Sequence, residues 1–115
     1  MRIFELLDRE SKARHLRFLI IGGHAVNAYG YTRFTSDVDF IISKEDRGAW
    51  LTALAAMEFQ VQYDGGNFLQ FNKRDASLCP VDLMLVNERS FVGMLDAAQT
   101  AELALQRQFA ILFND

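Results

Sequence analysis

The sequence predicts a single α+β domain, of the α/β kind, built on a mixed β-sheet of about five strands. Its 115 residues suit one domain, and half of them are hydrophobic, which allows a sizeable core. Helix-like and strand-like patterns alternate along the chain. An Asp-Gly-Gly turn at 64–66 separates two strand-like runs, which indicates that the sheet includes a hairpin.

The first half of the chain has four predicted elements. Residues 2–15 have apolar side chains at helical spacing and predict an amphipathic helix. Residues 18–21 are wholly apolar, which is typical of a strand buried on both faces, and a pair of glycines follows them. Residues 24–29 favour a short helix that begins at the glycines, and residues 37–43 favour a second strand.

The second half adds a helix, a hairpin, a strand and a helical tail. A helix is predicted at 44–57, where large apolar residues recur at helical spacing. The remaining elements are strands at 59–63, 67–72 and 79–86, followed by helix over 88–113 with a break near 97–100. We assign 1–115 to one domain with an apolar helical tail at 88–113.

Composition excludes several classes of protein. The net charge is −3, whereas a general nucleic-acid binder carries a strong basic excess. No apolar run reaches the roughly 18 residues of a membrane span, and the charged N-terminus does not suit a signal peptide. The single cysteine, Cys79, forms no internal disulfide and fits a reducing compartment. We therefore expect a cytoplasmic protein without membrane contact.

Asp37 and Asp39 are the first candidates for chemistry. They alternate with Val38 on a predicted strand, so both carboxylates point to the same face. Two neighbouring carboxylates repel each other unless a cation or a proton intervenes, and a divalent metal such as Mg²⁺ would hold them together. The alternative is a strand end that faces water, with Asp37 in the preceding turn.

Asp82 is an isolated acidic residue within the apolar strand at 79–86. A buried carboxylate is costly without a partner, so Asp82 should meet a partner or a metal. If its strand lies beside the strand of Asp37 and Asp39, three carboxylates converge, as two Mg²⁺ ions bridging phosphates would require. The alternatives are an edge strand with Asp82 facing solvent, or an ion pair with Arg33 or Arg74.

Gly22 and Gly23 stand between a predicted strand and the start of a predicted helix. Such a turn presents backbone N–H groups and the positive end of the helix dipole to an anion, so a triphosphate could bind there. The alternative is an ordinary tight turn. The sequence has neither a Walker loop nor the dinucleotide-binding glycine fingerprint.

Taken together, the glycine pair, the Asp-x-Asp about a dozen residues later and the single aspartate in a later apolar strand resemble the nucleotidyltransferase superfamily of the DNA polymerase β type. Segment 18–42 is closer still to small bacterial nucleotidyltransferase-like proteins, which include toxin–antitoxin and abortive-infection components. The resemblance covers residues 17–86. It implies a mixed sheet with helices on one face and the acids exposed on the other.

The resemblance also implies a role for each motif residue. Gly22 and Gly23 hold the nucleotide phosphates, and the loop residues before the acids also touch phosphate. Two Mg²⁺ ions are bound by three carboxylates, of which the last is also the base for the acceptor hydroxyl. The implied phosphate contacts of the loop are Arg33, Thr35 and Ser36, and the implied metal ligands and catalytic residues are Asp37, Asp39 and Asp82.

The implied activity is Mg²⁺-dependent transfer of a nucleoside monophosphate from ATP or another NTP to a hydroxyl of a protein or RNA acceptor. Members of the family usually continue into a basic helical segment, whereas residues 88–115 are mostly apolar. This tail completes the core, pairs with a second copy or meets a partner protein. The alternative function is therefore a catalytically weak, antitoxin-like binding module.

Overall fold

The computed structural model describes residues 3–21, 38–73, 80–104 and 107–112. Within these ranges the helices are α1 (Ile3–Arg14), α2 (Arg47–Ala56) and α3 (Glu88–Ala97), and a short 3₁₀ turn (Lys44–Asp46) precedes α2. The strands are β1 (Leu19–Ile21), β2 (Val38–Ser43), β3 (Phe59–Asp64), β4 (Phe68–Lys73), β5 (Val81–Val86), β6 (Gln99–Ala104) and β7 (Arg107–Leu112).

All seven described strands join one mixed sheet in the order β3-β4-β5-β2-β1-β7-β6. The pairs β2–β5 and β1–β7 are parallel, and the other neighbouring pairs are antiparallel. The α+β class with a mixed sheet is therefore confirmed. Strands β1 to β5 are the five expected strands, and β6 and β7 are additional.

One face of the sheet carries the main core, formed with α1 and α2. Alternate residues of β2 and β5 point into it, because side chains along a strand alternate between faces. Trp50 of α2 is fully buried there, and its ring makes edge contacts with Phe18 at 5.5 Å. The largest fully buried members are Phe4, Leu7, Ile20, Phe40, Ile42, Trp50, Leu54, Leu69, Phe71 and Leu83.

Helix α3 packs on the opposite face of the sheet, where the resemblance implied no helix. Its Phe91 is fully buried against Leu19 of β1 and Ile41 of β2, with Val86 of β5 at the margin. These strand residues alternate with the ones that face the main core. Helix α3 therefore covers one end of the second face, at the ends of β2 and β5 where both strands finish.

The predicted helical tail at 88–113 is corrected by the structure. Helix α3 ends at Ala97, and Ala98 is already extended, with φ −75° and ψ 156°. Residues 99–104 and 107–112 then form the antiparallel strands β6 and β7, of which β7 pairs with β1. Periodicity does not distinguish helix from strand in short apolar runs. Here the backbone N–H and C=O groups of β1 on the side away from β2 need partners, and β7 supplies them by forming a strand.

The other predicted elements are confirmed where the structure describes them, with shifts of a few residues at their ends. The predicted helix at 24–29 lies outside the described residues. The hairpin between β3 and β4 turns at Gly66, which has a φ of 83° that glycine adopts without strain. Asp64 accepts a hydrogen bond from the Gly66 N–H at 2.9 Å, and this contact fixes the turn. No helix among the described residues is long and apolar enough to span a membrane.

Arg17 ties α3 to the sheet and to the turn before α2. Its guanidinium donates to Asp46 at 2.9 Å and, through two nitrogens, to both carboxylate oxygens of Glu88 at 2.8 Å. The guanidinium also lies 5.1 Å from the centre of the Phe91 ring. Paired two-nitrogen contacts of this kind are among the stronger ion pairs. We call Arg17, Asp46 and Glu88 the Arg17 cluster.

Candidate carboxylate site

Two of the three predicted carboxylates are direct neighbours in the sheet. Asp39 of β2 lies opposite Asp82 of β5 in the parallel register. Neighbouring strands are about 4.8 Å apart, and opposed residues of a pair point to the same face. The two carboxylates therefore occupy adjacent positions on the second face, within the spacing that a shared metal site requires.

The position of β5 excludes the edge-strand alternative considered for Asp82, whereas the alternative of an ion pair with Arg33 or Arg74 involves residues outside the described ranges. Strand β5 lies between β4 and β2, so it is an interior strand and not an edge strand. Asp82 is only 8% exposed, and Asp39 is half-buried. Asp82 is therefore not a solvent-facing residue of a sheet edge. Because burial removes water from both carboxylates, their mutual repulsion is stronger here than at the surface.

The same row of the second face continues across two further strands. Gln70 of β4 lies opposite Asp82, and Tyr63 of β3 lies opposite Gln70. The sequence analysis assigned no role to these two residues. The hairpin turn at 64–66 gave their approximate pairing, but the pairing of β4 with β5 spans a connection that has no turn motif to fix its register.

Several predicted site residues lie outside the described residues, and these are Gly22, Gly23, Arg33, Thr35, Ser36 and Asp37. The flanking strands nevertheless show where their segment is attached. Strand β1 ends at Ile21 and runs antiparallel to β2, which begins at Val38. The chain thus leaves β1 and re-enters β2 at the end of the sheet that carries Asp39.

The chemistry of Asp39 and Asp82 fits a hard divalent cation. Carboxylate oxygens are the ligands that Mg²⁺ prefers, and Mg²⁺ usually takes one or two of them together with phosphate oxygens and water. Among the described residues no group of three or more His, Cys, Asp or Glu comes together. The third expected ligand, Asp37, belongs to the segment outside those ranges.

The shifted pKa values of the described carboxyls belong to the scaffold around this site. Hydrogen bonds from Arg17, and next from Ser43, lower the pKa of Glu88 to about 2. A hydrogen bond from the Gly66 N–H, followed by one from Arg47, lowers the pKa of Asp64. These carboxyls are charged at neutral pH and fix α3 and the hairpin, which flank the second face.

Comparison with known proteins adds no assignment. The sequence matches no model of a known protein family, and no curated protein matches it.

Proposed function

We propose that this protein is a Mg²⁺-dependent nucleotidyltransferase that transfers a nucleoside monophosphate from an NTP, most simply ATP, to a hydroxyl of a protein or RNA acceptor. The observation that carries the proposal is the register of Asp39 with Asp82 on adjacent parallel strands. Side by side on one face of the sheet, the two carboxylates offer the oxygen ligands that a divalent cation such as Mg²⁺ prefers.

In this proposal the acceptor oxygen forms a bond to the α-phosphorus, and the bond from the α-phosphorus to the bridging oxygen of the leaving pyrophosphate breaks. Asp82 takes the proton of the acceptor hydroxyl, while Asp39 and Asp82 hold the cation together with Asp37. Bound Mg²⁺ would supply charge stabilisation for the attacking and leaving oxygens. Gly22 and Gly23 bind the phosphates, assisted by Arg33, Thr35 and Ser36.

The alternative of a catalytically weak, antitoxin-like binding module rested on the short chain and its apolar tail. The backbone of β6 and β7 pairs with the chain's own sheet, which supports a tail that belongs to the domain. The carboxylate pair favours the transferase, and the titration below distinguishes the two functions.

Isothermal titration of ATP, with and without Mg²⁺, tests the proposal. We expect binding that requires Mg²⁺ and that weakens at least about tenfold in Asp39→Asn and in Asp82→Asn, since each change removes a charged ligand. Glu45→Gln is the matched control, because Glu45 is exposed and lies in the 3₁₀ turn after β2, at the opposite end of that strand from Asp39.

Thermal unfolding accompanies the titration. Both site variants should remain folded, because replacing one of two adjacent carboxylates relieves their repulsion. ATP binding that is independent of Mg²⁺, or equal in Asp39→Asn, Asp82→Asn and wild type, would overturn the proposal. Absence of ATP binding at every Mg²⁺ concentration would do the same.

A further inference from the structure

The second face of the sheet continues past the carboxylates toward β4 and β3 with residues that the proposed function does not use. Gln70 and Tyr63 extend the row of Asp82, and Phe68 lies opposite Met84 in the next row. We call Tyr63, Phe68, Gln70 and Met84 the Tyr63 patch. Helix α3 covers the other end of this face, around Ile41 and Leu19.

The Tyr63 patch combines exposed apolar surface with a defined aromatic pair. Tyr63 is 56% exposed and Met84 is 41% exposed, although both are large side chains. The Tyr63 and Phe68 rings lie 6.3 Å apart at an angle of 51°, so each restricts the other. A restricted aromatic ring beside a flexible methionine is suited to contact apolar side chains of varied shape.

We infer that the Tyr63 patch binds the acceptor of the transfer reaction, and that this acceptor is a polypeptide. The inference rests on the proposed function. In an in-line displacement the attacking hydroxyl and the leaving pyrophosphate lie on opposite sides of the α-phosphorus. In the proposed function the phosphates bind at Gly22 and Gly23, which follow β1 in the sequence, so the hydroxyl approaches from the β4 side of the carboxylate pair.

The spacing of the row suits this arrangement. Tyr63 lies two strands from Asp82, a lateral distance of about 10 Å, and Gln70 lies between them. An extended chain advances about 3.4 Å per residue, so with the acceptor hydroxyl at Asp82 a residue about three positions away lies above the Tyr63 ring. Gln70 offers a side-chain amide to the backbone of that segment.

Charge favours a polypeptide over RNA as the acceptor. The described positions of these two rows comprise Asp39, Ile41, Asp82, Met84 and the hairpin residues of the patch, with no lysine or arginine among them. RNA binding depends on basic groups that neutralise successive phosphates, and the described positions of these two rows offer none. Stacking on Tyr63 would suit a nucleobase as well, so the charge of the rows is the deciding feature.

The test uses ATP labelled at the α-phosphate and two probes, a random-sequence peptide pool that contains hydroxyl residues and a random-sequence RNA with a free 3′ hydroxyl. We expect label in the peptide pool and none in the RNA. Tyr63→Ser should reduce peptide labelling about fivefold to tenfold, as expected for loss of an aromatic contact, while Tyr63→Phe retains it.

Val61→Ser is the matched control for Tyr63→Ser. Val61 lies on the same strand and is 47% exposed, but it pairs with Phe71, whose side chain belongs to the main core on the opposite face. Its peptide labelling should equal that of wild type. Titration with Mg²⁺ and ATP should give the same affinity for wild type, Tyr63→Ser and Val61→Ser.

The outcomes separate this inference from the proposed function. If the wild-type protein shows no Mg²⁺-dependent ATP binding, both the proposed function and the acceptor inference are overturned. Three outcomes with intact ATP binding overturn the acceptor inference and leave the ATP-binding part of the proposed function standing. They are label in the RNA, label in neither pool, and equal peptide labelling by wild type and Tyr63→Ser.

Discussion

Arg17 joins parts of the chain that are far apart in sequence. It precedes β1, and its side chain reaches the turn before α2 through Asp46 and the first turn of α3 through Glu88. The backbone carbonyl of the same residue accepts a hydrogen bond from the Trp50 indole at 3.0 Å. One residue thus fixes a helix on each face of the sheet relative to β1.

The Arg17 cluster predicts a loss of stability at acid pH. The pKa of Glu88 falls from its ordinary 4.5 to about 2, chiefly because Arg17 donates hydrogen bonds to it. A carboxyl with a lowered folded-state pKa contributes stability that is fully present above the unfolded value and is lost as the pH falls through the folded value. This contribution therefore disappears between about pH 4.5 and about pH 2.

Thermal unfolding of wild type and Arg17→Met across this pH range checks the prediction. The difference between their melting temperatures should be constant above about pH 4.5 and should narrow toward about pH 2. Arg17→Lys keeps the charge without the two-nitrogen contact and should fall between them. A difference that does not change with pH would contradict the assigned role of Glu88.

Among the β-elements, the hairpin of β3 and β4 depends most directly on a single backbone conformation. Gly66 has a φ of 83°, and a Cβ placed there meets no atom within 4 Å, so only the backbone conformation opposes a side chain. Gly93 in α3 also has open space around an added Cβ, but its backbone is helical. A Cβ meets no steric contact at either glycine, so an alanine substitution at the two positions differs only in the backbone conformation that alanine must adopt.

We expect opposite effects of alanine at these two glycines. Gly66→Ala should lower the free energy of unfolding by about 1 kcal/mol, because alanine in a left-handed conformation is strained. Gly93→Ala should raise it by about 0.5–1 kcal/mol, because glycine is a poor helix former. Urea denaturation of both variants measures the changes, and effects of the same sign would contradict the turn geometry.

Local patterns in the sequence were sufficient for most elements and insufficient for their long-range pairing. Helix α1, the strands β1 to β5 and the hairpin turn at 64–66 follow from periodicity and turn residues within a few positions. Residues 99–112 were misread as helix, because their strand character depends on β1, which lies far away in the chain. The sequence predicted that Asp39 and Asp82 meet only if their strands are neighbours, and it did not establish the order of the strands. Tyr63 and Gln70 were not identified because their position beside Asp82 depends on the same order.

The described strands form one sheet in which β4, β5, β2, β1 and β7 each have a neighbour on both sides. Strand β7 separates β1 from the edge, so β1 has a hydrogen-bonded neighbour on each side. Its amide protons should therefore exchange with solvent as slowly as those of β2 and β5, rather than at the faster rate of an edge strand.

A proline placed in β7 tests the contribution of the last hairpin to the sheet. Ala110→Pro lies in a strand with neighbours on both sides, whereas Ala101→Pro lies in β6, which has a partner on one side among the described strands. Proline is tolerated at sheet edges and disrupts interior ladders. We expect Ala110→Pro to lower stability more and to accelerate amide exchange in β1.

Hydrogen exchange followed by NMR measures both variants. If Ala110→Pro and Ala101→Pro leave the exchange of Leu19–Ile21 unchanged, residues 99–112 do not support β1 in solution. Equal and large losses of stability in the two variants would instead indicate that β6 is not an edge strand.

The parallel pairing of β2 with β5 also has a consequence for the order of events in folding. Asp39 and Asp82 are separated in the chain by α2 and by the β3–β4 hairpin, so they meet only after this intervening unit has closed into a loop. Local hairpin and helix contacts form faster than such distant pairings. During synthesis the two carboxylates therefore remain apart until β5 has left the ribosome, and their repulsion arises only when β5 docks beside β2. A cation bound between them would favour that docking step, while α2 and the β3–β4 hairpin would form equally well without it.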